Sequence, residues 1–160
     1  MIAPVRHEIT VPLAPALAFD LFLRRMGEWW PLLTHSVWEG AARGCVVEAR
    51  VGGHIIEQGP DGAIAHWGTI LAIEDGARVL IDWHPGHDPA QSTELEIWFT
   101  PSATGTHLVL EHRYWERRGE LATTMRDNYE SGWIMVLGRY AERAANTATP
   151  PPSSPANYSK

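Results

Sequence analysis

The chain has 160 residues, 44% of them hydrophobic and 20% charged, a composition typical of one globular domain. A formal net charge of -6 and the lack of any run of Lys or Arg argue against nucleic acid as a partner. The single cysteine, Cys45, excludes an internal disulfide and a CxxC motif, and no signal peptide or membrane-spanning stretch is visible, so we expect a cytoplasmic protein with no membrane partner.

The first predicted elements are a strand and a helix. Residues 5–11 alternate in polarity, which predicts a strand that ends at Pro12. Residues 15–26 carry apolar side chains at helical spacing, with Pro15 at a position that tolerates proline. Glycine and proline at positions 27 and 31 then end the helix.

Short alternating runs fill the middle of the chain. Glycine-containing turns separate them, and connections this short favour antiparallel pairing of successive strands. We therefore predict one curved antiparallel sheet. Its further strands are residues 46–50, 54–58, 64–74, 78–84, 93–100 and 106–114.

The pattern changes to helical spacing after Trp115. Apolar residues recur every three or four positions from Leu121 to Ala144, which predicts a long amphipathic helix lying on the sheet. Residues 147–160 are rich in proline and serine and predict a disordered tail. Residues 1–146 are thus predicted to form a single domain.

Eight tryptophans are spread along the chain, and the alternation of strand side chains sorts them by face. Trp67 and Trp83 share parity with apolar residues and are predicted to face inward, as is His112. Trp98 has the opposite parity, so it is predicted on the outer face, where it could serve a homodimer contact. Trp29, Trp30, Trp38 and Trp115 are expected at the rim and in loops.

Two interpretations of the inward side chains stand. One is a packed core in which backbone groups satisfy the polar atoms. The other is a ligand cavity between the long helix and the sheet, since indole, phenol and imidazole groups that converge on one apolar face are typical of a small-molecule site. The predicted lining is Trp67, Trp83, His112, Tyr129 and Trp133, with Trp29 and Trp30 nearby.

A series of ordered motifs resembles the helix-grip fold of the SRPBCC or START-like superfamily, an α+β fold. The resemblance is greatest to single-domain proteins related to the activator of the heat-shock-protein-ninety ATPase. It covers roughly residues 5–145. The motifs are Phe19-Asp20-Leu21-Phe22, Glu28-Trp29-Trp30-Pro31-Leu32, Val51-Gly52-Gly53 with Glu57, Trp67-Gly68-Thr69-Ile70, Ile81-Asp82-Trp83-His84-Pro85-Gly86, Thr93-Glu94-Leu95-Glu96-Ile97 before Phe99-Thr100, Gly105-Thr106, Leu110-Glu111-His112-Arg113, and Gly132-Trp133 near Val136-Leu137.

This resemblance implies a deep pocket roofed by the C-terminal helix, into which Trp83, His112 and Trp133 project. Members of the superfamily bind lipids, hormones and polyketides, and some catalyse cyclisation, so fold alone does not assign an activity. The eukaryotic co-chaperone carries a second, chaperone-binding domain that a chain of this length is not expected to contain.

Glu57 and His112 are the candidates for an acid–base pair near such a cavity. A histidine exchanges protons near neutral pH, and burial raises the pKa of a carboxyl group, so the pair suits enolisation or cyclisation of a carbonyl compound. The structural alternative pairs Glu57 with an arginine and has His112 donate to a backbone carbonyl. No metal set and no nucleotide loop are recognised, and the histidines of residues 84–87 are interpreted as solvated loop residues.

Three functions follow from these observations. The first is binding of a small hydrophobic or aromatic molecule, with no cofactor. The second is an enzyme of cyclase, aromatase or isomerase type. The third is a protein-interaction module of co-chaperone kind.

Overall fold

Alternating apolar side chains along seven segments produce seven strands, each with one buried face. The computed structural model describes residues 1–148. The strands are β1 (Val5–Val11), β2 (Gly44–Val47), β3 (His54–Gln58), β4 (Ile64–Glu74), β5 (Arg78–Trp83), β6 (Thr93–Ser102) and β7 (Gly105–Arg113). The α-helices are α1 (Pro15–Phe22) and α2 (Ala122–Ala148), and short 3₁₀ helices occupy Met26–Glu28, Glu39–Ala41, Pro60–Gly62, Pro89–Gln91 and Trp115–Leu121.

The strands form one antiparallel sheet in the order β1-β7-β6-β5-β4-β3-β2. Every strand from β2 to β7 pairs with its neighbour in sequence, while β1 closes the far edge beside β7. The sheet curls into a half-barrel around the long helix α2. The predicted α+β helix-grip fold is therefore confirmed.

Strand β4 departs from strict alternation at two β-bulges. Its register with β3 shifts next to Trp67, and its register with β5 shifts next to Leu71. Each bulge adds one unpaired residue and reverses the faces of those that follow. Trp67 and Ile70 are fully buried while Leu71 is exposed, although strict alternation from Trp67 would place Leu71 on the inner face.

Helix α1 is shorter than residues 15–26. After Phe22 the backbone bonding changes, because the Arg25 N–H donates to the Asp20 carbonyl and the Met26 N–H donates to the Leu23 carbonyl. This turn leads into the 3₁₀ helix Met26–Glu28 and brings Trp29 and Trp30 over the sheet.

The core has a packed end and a hollow end. At the packed end, under α1, the rings of Phe19, Phe22 and Phe99 meet edge to face with centroids 5.2 and 5.7 Å apart. Tyr140 of α2 joins this cluster, and its hydroxyl donates to the Ala18 carbonyl at 2.7 Å. Four tryptophans surround the hollow end.

Helix α2 buries the face that its periodicity predicts. Trp133, Val136, Leu137, Tyr140 and Ala144 are buried at helical spacing. The helix includes Thr147 and Ala148, two residues beyond the predicted start of the tail, and the remainder of that tail lies outside the described residues. None of the helices within residues 1–148 has the length and apolar character needed to cross a membrane.

Candidate functional site

A cavity of about 520 Å³ lies between the sheet and α2. Its walls come from β4, β5 and α2, and its mouth is formed by residues 34–37 and 85–87. The lining residues are Trp30, Thr34, His35, Ser36, Val37, Trp67, Trp83, Pro85, Gly86, His87, Asn128, Tyr129, Gly132, Trp133 and Val136.

Four tryptophan rings make up the inner wall. Trp30 sits at the centre of the group, with its ring centroid 5.1 Å from that of Trp67, 5.9 Å from Trp83 and 5.8 Å from Trp133. Trp83 is 5.9 Å from Trp67 and 6.0 Å from Trp133. These tilted and edge-on contacts hold the rings in place by packing them against one another.

All four indole N–H groups of this wall bind protein acceptors. Trp30 donates to the His35 carbonyl at 2.8 Å, and Trp67 donates to a carboxylate oxygen of Glu57 at 2.8 Å. Trp83 donates to the Tyr129 hydroxyl oxygen at 3.3 Å, and Trp133 donates to Nδ1 of His112 at 3.0 Å. Because every indole donor is already bonded, the wall presents carbon faces to the cavity.

Glu57 of β3 is fully buried and holds the mouth segment at Val37 and Trp38 against the sheet. Its Oε1 accepts from the Val37 backbone N–H and from the Trp67 indole, and its Oε2 accepts from the Trp38 backbone N–H at 2.9 Å. Three N–H donors stabilise a buried carboxylate without a cation. The expected arginine partner is thus wrong, and the carboxylate positions the chain at residues 37–38.

His112 of β7 is also fully buried, behind Trp133. Its Nδ1 accepts from that indole, so the hydrogen is on Nε2, which donates to the Thr93 hydroxyl at 2.6 Å. Thr93 in turn donates to the Trp83 carbonyl at 3.2 Å. Burial, followed by the positive charge of Arg118, holds the pKa of His112 well below its ordinary value, which keeps the imidazole neutral.

The polar groups of the cavity are concentrated at its mouth. The Thr34 hydroxyl lies 2.7 Å from Nδ1 of His35, and α2 contributes Asn128 and Tyr129 to the lining. Burial raises the pKa of Tyr129, which keeps the phenol protonated. Burial, together with the charge of Arg118, lowers the pKa of His87.

The structure brings five of the predicted ligand-binding residues to the cavity surface: Trp30, Trp67, Trp83, Tyr129 and Trp133. Trp29 instead packs at the boundary with the core, 5.2 Å from Phe22 and 5.5 Å from Trp30. Glu57 and His112 each bind the indole of a lining tryptophan but do not themselves line the cavity. Their pairing as acid and base remains a prediction from the sequence.

Other aromatic residues occupy places that parity does not determine. Trp115, expected at the rim, is fully buried and donates to the His112 carbonyl at 2.9 Å. Trp38 covers Gly59, where a Cβ atom would come within 2.5 Å of the indole ring. Trp98 is half-buried on the outer face, paired with Arg78 and Val109.

The mouth residues 34–37 and 85–87 carry no periodic signal, so their place in the lining does not follow from the sequence. His84 is buried rather than solvated, with only 6% of its surface exposed, while His87 lines the mouth. His54 and His66 stack with ring centroids 4.6 Å apart. Within residues 1–148, no three His, Cys, Asp or Glu side chains are grouped as metal ligands.

The sequence also matches a protein family over most of its length. The model of the family described as "Activator of Hsp90 ATPase homolog 1-like protein" matches residues 15–142. The chain belongs to this family. The match begins at α1 and ends within α2, so it includes every residue that lines the cavity.

Solved structures of this architecture share little sequence with the chain. The AHSA1-like protein of Aeromonas hydrophila is 16% identical, with a TM-score of 0.62 over 88% of this chain and 90% of that one. Protein MLL2253 of Mesorhizobium loti is 19% identical, with a TM-score of 0.59 over 88% and 95%. Txn09, named an anthrahydroquino-γ-pyrone synthase, is 26% identical, with a TM-score of 0.61 over 88% and 96%. Among curated proteins, none matches the chain.

Proposed function

We propose that this protein binds a flat aromatic molecule in the cavity between α2 and the sheet. The observation that carries the proposal is the bonding of all four indole N–H groups to protein acceptors. A wall without unsatisfied donors favours an apolar π-face over a polar group, since a polar ligand would lose its water there without gaining hydrogen bonds.

The size of the cavity and the position of its polar groups agree with this function. A volume of about 520 Å³ is within the range of small-molecule sites. The polar side chains of the lining include His35, Asn128 and Tyr129, which can meet the substituents of a bound ring system. The name of Txn09 specifies a polycyclic aromatic product, which supports an aromatic ligand for this related chain.

Helix α2 offers a sharp test, because two of its glycines differ in what they face. Gly132 lines the cavity, with the nearest atom of His35 3.9 Å from an added Cβ, whereas Gly138 is exposed with nothing within 4 Å. Leucine at either position favours the helix by roughly 1 kcal/mol over glycine. The variant Gly132→Leu fills the cavity, and Gly138→Leu is the matched control.

The measurement is quenching of tryptophan fluorescence by the neutral probe 2-(hydroxymethyl)anthraquinone. We expect saturable quenching in the wild type and in Gly138→Leu, and none in Gly132→Leu. Absence of saturable quenching in the wild type, or equal affinity in Gly132→Leu, contradicts the proposal.

Carbonyl chemistry is a second candidate, favoured by the synthase activity in the name of Txn09. On this chain the groups at the cavity surface that can exchange a proton are His35, His87 and Tyr129. Glu57 and His112 could contribute only by positioning the tryptophans that they bind. If turnover of an aromatic polyketide survives His35→Gln, His87→Gln and Tyr129→Phe, this assignment fails.

The outer face of the sheet is proposed as a self-association surface, with Trp98 at its centre. It is a partner surface distinct from the cavity. Sedimentation at high concentration tests it: a monomer in the wild type excludes a homodimer through Trp98.

A further inference from the structure

Arg118 is a buried arginine for which the described part of the chain provides no acidic partner. It lies in the 3₁₀ helix Trp115–Leu121 with 5% of its surface exposed. Its Nη2 donates to the Trp83 carbonyl at 3.4 Å, while Nε and Nη1 are buried and have no hydrogen-bond partner within residues 1–148. A buried guanidinium in this condition is strongly destabilising.

The contrast with Arg113, five residues earlier, is informative. That guanidinium forms ion pairs with Glu94, Glu96 and Glu111 on the outer face of the sheet. The chain has 19 acidic residues against 13 basic ones, so carboxylates are plentiful. Among residues 1–148, the most buried arginine, Arg118, nevertheless has no carboxylate partner.

Arg118 lies next to one end of the cavity. The carbonyl that it binds belongs to Trp83, a lining residue. Its charge lowers the pKa of His87 and opposes the effect of burial on the pKa of Tyr129, and both of these residues line the cavity. Its hydrogen bond to the Trp83 carbonyl places the guanidinium behind the wall at this end, although it does not itself line the cavity.

We propose that Arg118 recognises an anionic oxygen on the bound molecule, which makes the preferred ligand an aromatic carboxylate. For the carboxylate to reach Nε and Nη1 from the cavity, which His87 and Tyr129 line, the exposed turn that carries His87 has to move aside. Charge-assisted hydrogen bonds to an arginine are among the stronger polar contacts in proteins. This inference rests on the proposed function, since it assumes that an aromatic ring occupies the cavity.

The test compares two probes of the same shape, anthraquinone-2-carboxylate and neutral 2-(hydroxymethyl)anthraquinone. The variants are Arg118→Gln and, as matched control, Arg117→Gln, which removes the same charge from an exposed neighbour stacked on Tyr114. We expect the wild type and Arg117→Gln to bind the carboxylate roughly tenfold or more tightly than the neutral probe. Arg118→Gln should lose that preference and keep its affinity for the neutral probe.

A wild type that binds both probes equally, or a preference that persists in Arg118→Gln, overturns the inference and leaves the proposed function standing. Failure of both probes to bind the wild type overturns the proposed function and the inference with it. If Arg118→Gln does not fold, Arg118→Met replaces it in the same comparison, because its apolar chain fills the site without a charge.

Discussion

Replacing Glu57 by glutamine separates a positioning role from a catalytic one. The carboxylate accepts three hydrogen bonds, from Val37, Trp38 and Trp67, in a fully buried site. In Glu57→Gln the amide oxygen can replace Oε1 and keep two of these donors. The amide NH₂ then faces the Trp38 N–H, donor against donor.

The cost follows from these contacts. One charge-assisted bond is lost, at about 1.5–3 kcal/mol, and the remaining two become neutral and weaker. We expect a loss of about 3 kcal/mol in the free energy of unfolding. For a chain of this size each kcal/mol lowers Tm by about 2–4 °C, so Tm should fall by about 6–12 °C.

The assay is thermal unfolding followed by circular dichroism, with Glu48→Gln as the control. Glu48 also accepts from a backbone amide, that of His54 at 3.2 Å, but its side chain is 36% exposed. The control should change Tm by no more than about 2 °C, a shift typical of surface sites. If Tm falls no further in Glu57→Gln than in the control, the reasoning is refuted and Glu57 returns to the candidates for acid–base catalysis.

Three further predictions concern buried polar groups. The pKa of His112 is depressed in the folded protein, so below about pH 6.5 the unfolded chain binds a proton that the folded chain does not, and the free energy of unfolding falls by up to about 1.4 kcal/mol per pH unit. Urea unfolding at pH 7 and pH 5 should show a smaller loss of stability in His112→Gln than in the wild type. The control His107→Gln, at a more exposed site on the same strand, should behave as the wild type. Burial, and then the charge of Glu57, raises the pKa of the Cys45 thiol to about 12. Cys45 should therefore react with a thiol reagent at pH 8 about a hundredfold or more slowly in the folded protein than in urea, and equal rates would contradict its burial. Tyr140→Phe removes the hydroxyl that joins α2 to the Ala18 carbonyl and should lower Tm by about 2–4 °C. The control Tyr114→Phe, at a more exposed tyrosine, should leave Tm unchanged, and a larger fall in Tm for Tyr114→Phe than for Tyr140→Phe would contradict the helix contact.

Periodicity predicts the strands and α2 because it is a local property of the sequence. All seven strands and the buried face of α2 follow from it, with ends that differ by a few residues. It fails in β4, where the bulges at Trp67 and Leu71 depend on the partner strands, which a single segment does not encode. Trp67 faces inward as predicted, but as a bulge residue.

The cavity mouth could not be predicted from the sequence for a related reason. The backbone at Val37 and Trp38 is held in place by the Glu57 carboxylate, about twenty positions away, and nothing local indicates that contact. Trp29 and Trp30 are adjacent in a turn without strand or helix parity, so their division between core and cavity wall emerges only from packing. Arg118 is missed because an unpaired charge has no sequence signature.

The bonding of the indole donors has a consequence for which positions tolerate substitution. The wall tryptophans donate hydrogen bonds to Glu57, His112, Tyr129 and a backbone carbonyl. Substituting a wall tryptophan or one of these three side chains therefore disturbs the fold as well as the cavity. At the mouth it is mainly the backbone that makes such contacts, and its side chains sit largely in loops, which tolerate substitution. Substitutions at rim positions such as Thr34 and Asn128 should therefore reshape the cavity mouth at little cost in stability, whereas substitutions in the aromatic interior should not.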